Sequence, residues 1–157
     1  MDTTRRASLF ALGAAPAALA ACATAQTSGA FTLTPAAYAA WLDRYKRAWE
    51  TKDAAAAGAL FTEDASYHEM PFDAPMQGRA AIEAYWARVT AGQSDIAFTA
   101  HVVMCAEDRG VSHWHAAFTG GDGSAIELDG VFICRFTDAE IVSNLREWWH
   151  IKVTPSA

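Results

Sequence analysis

An acidic and a phenolic side chain alternate along one predicted strand and could act together on a small molecule. Tyr67 and Glu69 lie two residues apart, so a strand would place both on one face. A carboxylate can remove a proton, and a phenol can donate a hydrogen bond to an oxygen that gains negative charge. Tyr45, on a predicted helix, is a second phenol of this kind. We predict Glu69 as a general base and Tyr45 as a hydrogen-bond donor.

Histidines on the later predicted strands are candidates for the acid. His113 and His115 share one strand face, and Arg146, Trp148 and His150 share a face of the last strand. Histidine side chains titrate near neutral pH and can either give or take a proton. We therefore predict His115 and His150 as catalytic residues and His113, Arg146 and Trp148 as pocket residues.

Aromatic side chains would enclose this chemistry. The chain of 157 residues contains six Trp and eight Phe, which suits a large core, a lined cavity or both. We predict that Tyr67, Phe72, Trp86 and Phe132 belong to the pocket wall. The expected ligand is a small hydrophobic molecule, aromatic compounds included, and no cofactor is expected.

Less specific interpretations of the same residues stay open. Tyr45 would also suit a packed core position, and Glu69 would suit a solvated rim beside the Pro-rich loop. His113 and His115 would suit an exposed sheet face, and Arg146 would suit an ion pair with Glu69. The histidines and Glu69 also contain metal-ligand atoms, but this spacing is common by chance, and we predict no metal.

Hydrophobic periodicity supplies the elements that would position these residues. Thr34-Pro35 begins a helix, Asp53 caps a short Ala-rich helix, and a third helix runs from Arg79 to about Ala91. Strands are predicted over 65–70, 96–105, 110–119, 124–136 and 141–151, the last four joined by short turns and therefore antiparallel. Cys105 and Cys134 fall on strands separated by a third, so we predict free thiols. The fold class is α+β.

Several segments resemble the NTF2-like superfamily, in its SnoaL-like and ketosteroid-isomerase-like branch. They are YKRAWETKD at 45–53, LFTEDA at 60–65, the positions Glu69, Pro75 and Gly78, and REWW at 146–149. The resemblance covers residues 36–151. It implies a cystatin-like cone in which three N-terminal helices pack on a strongly curved, mixed and mostly antiparallel sheet that encloses a pocket.

The resemblance also carries expectations for the site. Tyr45 falls on the oxyanion-binding tyrosine of the ketosteroid isomerases, and Glu69 falls on their proton-moving carboxylate. Phe132 stands at the position of the second oxyanion donor, so half of that hole is missing. We expect a cofactor-independent lyase, isomerase or dehydratase. The alternative is a non-catalytic periplasmic ligand-binding domain or a dimeric interaction domain. A homodimer would pair through the outer sheet face, where Trp114 is expected and Trp149 is a further candidate.

The first residues read as an export signal. Arg5 and Arg6 precede an apolar run of about 14 residues, shorter than the roughly 20 of a spanning helix. We predict a twin-arginine-like signal peptide over 1–21 and a lipobox over 19–22, with lipidation of Cys22. An ordinary cleavage near this cysteine is the alternative. A flexible tether over 22–34, the domain over 35–153 and a tail over 154–157 would follow.

The charge of the chain limits its partners. The net charge is −6, and no basic run interrupts the sequence. Nucleic acids and anionic membranes repel such a surface, so we expect no nucleic-acid partner. Membrane contact would come only through the lipid anchor at Cys22, on the periplasmic side.

Overall fold

The computed structural model describes residues 31–156. The predicted signal peptide, the lipobox with Cys22 and most of the predicted tether lie outside these residues. Within residues 31–156, no helix is long and apolar enough to cross a membrane.

Three helices begin at the residues that the sequence marks as caps. Helix α1 spans Pro35–Glu50, and the Thr34 side chain accepts a hydrogen bond from the backbone N–H of Ala37 at 3.1 Å. Helix α2 spans Ala54–Gly58, and Asp53 caps it in the same way. Helix α3 spans Arg79–Thr90 and follows Gly78, whose φ of 82° favours glycine. The Thr34 and Asp53 side chains thereby satisfy amides that a helix leaves unpaired, whereas Gly78 makes no side-chain capping bond.

Six strands form one mixed sheet in the order β2-β1-β6-β5-β4-β3. Their bounds are β1 Phe61–His68, β2 Met76–Gln77, β3 Ser94–Ala106, β4 Arg109–Thr119, β5 Ala125–Phe136 and β6 Val142–Thr154. Strands β1 and β6 run parallel, and every other neighbouring pair is antiparallel. The predicted α+β class with a mostly antiparallel sheet is confirmed.

Strand β1 differs from its prediction. It begins at Phe61 and ends at His68, whereas the prediction gave 65–70, so Glu69 lies just past its end. The prediction began the strand after the polar run 62–64, because such residues are typical of a turn. The register between β1 and β6 instead shifts between Phe61 and Ser66, which accommodates the polar run within the strand. The two-residue strand β2 was not predicted, because it pairs only Met76 and Gln77 with β1.

The helices cover one face of the sheet, here called the inner face. Helix α1 buries one stripe of apolar and aromatic side chains against this face: Tyr38, Trp41, Leu42, Tyr45 and Trp49. Their rings pack against inner-face rings, for example Trp41 against Phe136 at 5.7 Å between centroids. The opposite side is here called the outer face.

Candidate active site

A cavity of about 200 Å³ lies between helices α1 and α3 and the inner face of the sheet. Its floor is buried: Tyr45, Trp49, Tyr67, Tyr85, Trp86, Trp114 and Glu147. Its mouth is partly exposed: Glu69, Val89, Gln93, Phe118, Ile126, Leu128, Trp149 and Ile151. Most of this lining is apolar or aromatic, so the few polar groups can dictate how a ligand lies.

The polar part of the floor is a chain of two hydroxyls and a carboxyl. The Tyr67 hydroxyl donates to Oε1 of Glu147 at 2.7 Å, and the Tyr45 hydroxyl lies 3.5 Å from that of Tyr67. Glu147 is only 5% exposed. A helix, a parallel strand and the last strand each supply one of these groups, so the fold itself brings them together.

The surroundings of Glu147 favour its neutral form. Burial raises the pKa of this carboxyl, the hydrogen bond from Tyr67 opposes the rise, and the negative charge of Glu69 adds to it, so that the pKa is about 8. Burial likewise raises the pKa of the Tyr45 and Tyr67 hydroxyls well above their ordinary value. At neutral pH the floor therefore holds a protonated acid and two neutral phenols.

Glu69 faces this floor from the rim. It follows the end of β1, is partly exposed and lines the cavity. The pKa of the Tyr85 hydroxyl is raised first by burial and then by the charge of Glu69. One cavity thus holds a buried carboxyl and a solvated one. Such a pair is suited to acid and base roles.

The predicted orientation of the β4 histidines is wrong. Ser112, Trp114 and Ala116 are buried on the inner face, which turns His113 and His115 to the outer face. There Nε2 of His113 lies 3.0 Å from Asp129, and Nε2 of His115 lies 3.7 Å from Glu127. Trp114 is therefore in the cavity floor and not on the outer face.

The predicted orientation of β6 is also wrong. Glu147 and Trp149 line the cavity, whereas Arg146, Trp148 and His150 point to the outer face. The Arg146 guanidinium lies over the Trp148 ring at 5.2 Å, and no ion pair between it and Glu69 exists in the described chain. Both alternations of this strand carry a tryptophan, so hydrophobicity alone does not select the inner face. The prediction missed Glu147 because a buried carboxylate contradicts the usual burial pattern.

Four further predicted pocket residues differ in their placement. Trp86 lines the cavity, as does Tyr67. Phe132 is fully buried behind the floor, with its ring 5.2 Å from that of Tyr45. Phe72 is 99% exposed on the loop after β1, because the Pro-rich segment holds it away from the sheet. The prediction missed Tyr85, which lies on the buried side of α3 and also lines the cavity.

The remaining candidate chemistries involve metal and thiols. No group of three or more His, Cys, Asp or Glu side chains in residues 31–156 could hold a metal ion. Cys105 on β3 and Cys134 on β5 are free, as predicted. Each pairs with Gly110 of β4, the strand between them. Burial raises the pKa of the Cys134 thiol to about 12, which makes it a poor nucleophile.

Comparison with known proteins gives a family match and structural neighbours. A family model described as the SnoaL-like domain matches residues 42–144. The comparison with curated proteins gives no match. Among solved structures, a protein from Mycobacterium tuberculosis has a TM-score of 0.67 at 17% identity, over 78% of this chain and 99% of that chain.

Two enzymes are also among the structural neighbours. Delta 5-3-ketosteroid isomerase from Mycobacterium sp. has a TM-score of 0.64 at 20% identity, over 75% of this chain and 98% of its own. The epoxide hydrolase/cyclase-like enzyme of pyran ring formation in the polyether salinomycin has a TM-score of 0.64 at 18% identity, over 74% and 95%. At these identities the likeness establishes the fold, which is the cone of the NTF2-like, ketosteroid-isomerase-like proteins.

Proposed function

The chain belongs to the SnoaL-like domain family, and on that premise we propose that it catalyses proton transfer on a small, mostly apolar carbonyl compound. The observation that carries the proposal is the pair of carboxyls in one cavity, Glu147 buried in the floor and Glu69 at the rim. Families with this fold include isomerases and cyclase-like enzymes, which is consistent with such chemistry. The reaction would be an isomerisation, a dehydration or a lyase step.

In the proposed step, Glu69 removes a proton from the carbon next to the carbonyl group. The electron pair of that C–H bond forms a C=C bond, and the carbonyl oxygen becomes an enolate oxygen. Neutral Glu147 donates a hydrogen bond or its proton to this oxygen, since Tyr67 occupies only Oε1. The Tyr45 hydroxyl lies 3.5 Å from the Tyr67 hydroxyl and helps to hold it in place. Return of the proton by Glu69 to the same carbon completes an exchange, whereas in an unsaturated ketone its delivery to a different carbon of the dienolate completes an isomerisation. In both cases the carbonyl group re-forms and Glu147 regains any proton it gave.

Glu147 would act as the second oxyanion donor, since Phe132 occupies the position at which the ketosteroid isomerases carry theirs. Phe132 and Glu147 are direct partners in the register of β5 and β6. A carboxyl on the neighbouring strand can therefore reach the same part of the cavity. An oxyanion-binding pair of Glu147 and a tyrosine is therefore favoured over a single phenol.

The size of the cavity limits the substrate. An engineered cavity of about 150 Å³ holds one benzene molecule. A cavity of about 200 Å³ therefore suits a molecule with one ring, and a four-ring steroid would exceed it. The apolar mouth favours an uncharged compound.

Exchange of carbon-bound protons tests this function without knowledge of the natural substrate. Acetophenone, a one-ring ketone, is incubated with the protein in D₂O, and loss of its methyl proton signal is followed by NMR. We expect exchange faster than in buffer, and a loss of about 10²- to 10⁴-fold in Glu69→Gln. His115→Gln, on the outer face, is the matched control and should exchange at the wild-type rate.

Two results would overturn the enzyme proposal. One is an equal exchange rate in wild type and Glu69→Gln. The other is binding of one-ring ketones with no exchange above buffer, which would favour the alternative of a non-catalytic ligand-binding domain.

A further inference from the structure

Gln93 lines the mouth of the cavity and is held there by three hydrogen bonds. Its backbone N–H donates to the Thr90 carbonyl at 3.1 Å, and its backbone carbonyl accepts from Nζ of Lys52 at 2.8 Å. Its side-chain Oε1 accepts from Nε1 of Trp49 at 2.8 Å. Gln93 is therefore fixed through both its backbone and its side chain.

The bond to Trp49 determines how the Gln93 amide is oriented. An indole N–H can only donate, so the amide atom that faces it is the oxygen, and the NH₂ group takes the other position. This NH₂ group has no hydrogen-bond acceptor within residues 31–156. The buried side-chain nitrogens without a partner in that range belong to Trp86 and Trp114, so Nε2 of Gln93 is accessible to solvent. Because Gln93 and Trp49 both line the cavity, a ligand can reach this donor.

Gln93 and Glu147 lie at opposite ends of the cavity. Gln93 adjoins the first residue of β3, which pairs with Thr119 at the end of β4. Thr119 pairs with Ala125 at the start of β5, whereas Glu147 pairs with Phe132 further along the same strand. These two positions of β5 are about 23 Å apart along an extended strand. The cavity therefore has a carboxyl end and an amide end, with mostly apolar and aromatic side chains between them.

We propose that the cavity takes an elongated one-ring ketone whose side chain carries a second hydrogen-bond acceptor, an uncharged ether, hydroxyl or carbonyl oxygen, which the Gln93 NH₂ group binds. This inference rests on the proposed function, which places the ketone oxygen at the Glu147 end. The second acceptor is uncharged because no basic side chain of the described residues lines the cavity, and Lys52 is bonded to the backbone carbonyl of Gln93. Gln93 is thus a specificity-determining residue.

Pairs of para-substituted acetophenones test the second acceptor. The ring carries a methoxy, methoxyethyl or methoxybutyl group, and each compound is compared with its ethyl, butyl or hexyl analogue, in which a CH₂ group replaces the ether oxygen. Dissociation constants are measured by tryptophan fluorescence. For each pair, the dissociation constant of the alkyl compound divided by that of the ether compound is the ether preference.

Gln93→Glu removes the donor and keeps an acceptor for Trp49, because a carboxylate has no N–H and its oxygen still accepts from the indole. For at least one chain length, the ether preference should be about three- to tenfold lower in Gln93→Glu than in wild type, the effect of one net hydrogen bond. Gln77→Glu is the matched control, since Gln77 is exposed on β2, donates to Ser66 at 3.3 Å and does not line the cavity. It should keep the wild-type preference. Each preference is a ratio within one protein, so a general change in affinity cancels.

Side-chain amide NMR signals of the wild-type protein provide a second readout. The chain contains three Gln and one Asn, so its ¹H–¹⁵N spectrum has few NH₂ signals, and the Gln93 pair is the one that Gln93→Glu removes. The Gln93 signals should move downfield with the ether ligand and not with its alkyl partner.

Two results would overturn the inference. One is an equal ether preference in wild type and Gln93→Glu at every chain length, and the other is a set of Gln93 signals that respond alike to both ligands of every pair. Neither readout requires turnover, so an ether preference that depends on Gln93, without exchange of acetophenone protons, would contradict only the proposed function. Exchange that depends on Glu69, without this ether preference, would contradict only the inference.

Discussion

Glu147 is the residue on which the proposed chemistry depends most. It is a carboxyl on the inner face of β6, where its neighbours are phenols and aromatic rings. The structure keeps it neutral by withholding water and by placing the charge of Glu69 nearby. The sequence indicated Glu69, Tyr67 and Tyr45 as site residues because an acid and phenols at these spacings are recognisable. The sequence did not indicate Glu147, because the role of this residue depends on its burial. The tryptophans on both faces of β6 leave open which face is buried.

The protonation of Glu147 predicts a pH dependence of stability. The unfolded chain ionises this group near 4.5, whereas the folded protein retains the proton to about pH 8. The folded state binds more protons between these values, so the free energy of unfolding falls as pH rises through that window. The loss should be on the order of a few kcal/mol. Glu147→Gln cannot ionise and keeps a carbonyl acceptor for Tyr67, so it should flatten this dependence.

Urea unfolding of wild type and Glu147→Gln at pH 5 and pH 9 measures this effect. Glu127→Gln is the control: Lys152 lowers the pKa of Glu127, so its contribution is lost only in acid, below the Glu147 window. Equal pH dependence in wild type and Glu147→Gln would contradict the protonated carboxyl.

At the scale of elements, strand alternation decides which side chains meet the ligand. On β4 and β6 the sequence correctly paired residues on common faces but assigned those faces to the wrong side of the sheet. Strand β4 has a tryptophan on one face and histidines on the other, and β6 has a tryptophan on each face. The local hydrophobic pattern therefore does not identify which face of either strand is buried. Packing across three strands determines which face is buried. Trp114, Gly130 and Trp149 form one row on the inner face, and the glycine leaves room for the two indoles.

Gly130→Ala tests that row. The added Cβ would lie 2.6 Å from the backbone carbonyl oxygen of Trp148 and 2.8 Å from Cβ of Trp149, so β5 and β6 must move apart or the indoles must shift. We expect a destabilisation of about 1–3 kcal/mol in urea unfolding at neutral pH. Gly92→Ala is the control, since its nearest neighbour would be 4.0 Å away. Equal stability of the two variants would show that the row does not require a glycine.

At the scale of the whole molecule, the order of elements was predictable and the cavity was not. Caps at Thr34 and Asp53, the helical stripe and the hairpin turns each have local sequence signals, and together they gave the α+β class. The volume and lining of the cavity depend on how far the helices stand from the sheet, which no local pattern contains. Pairing of two copies through the outer face stays a prediction, and Trp148 and Ile133, each 39% exposed, lie on that face.

We propose that residues 1–21 direct export and that Cys22 carries a lipid anchor. The paired arginines and the residues before Cys22 support this. The full chain should fractionate with membranes in a Gram-negative host, whereas the Cys22→Ser variant should be found in the soluble fraction. Cys105→Ser, a substitution inside the domain, should stay with the membranes. Recovery of the full wild-type chain from the cytoplasm would contradict this proposal.

The proposed chemistry requires Glu147 to be a neutral acid in a cavity that Glu69 also faces. A ¹³C NMR titration of the glutamate side-chain carboxyls, with the Glu147 signal assigned through Glu147→Gln, measures this directly. We predict a Glu147 signal that is unchanged through pH 6 and titrates near pH 8. A Glu147 signal that titrates near the ordinary value of 4.5 would contradict the account.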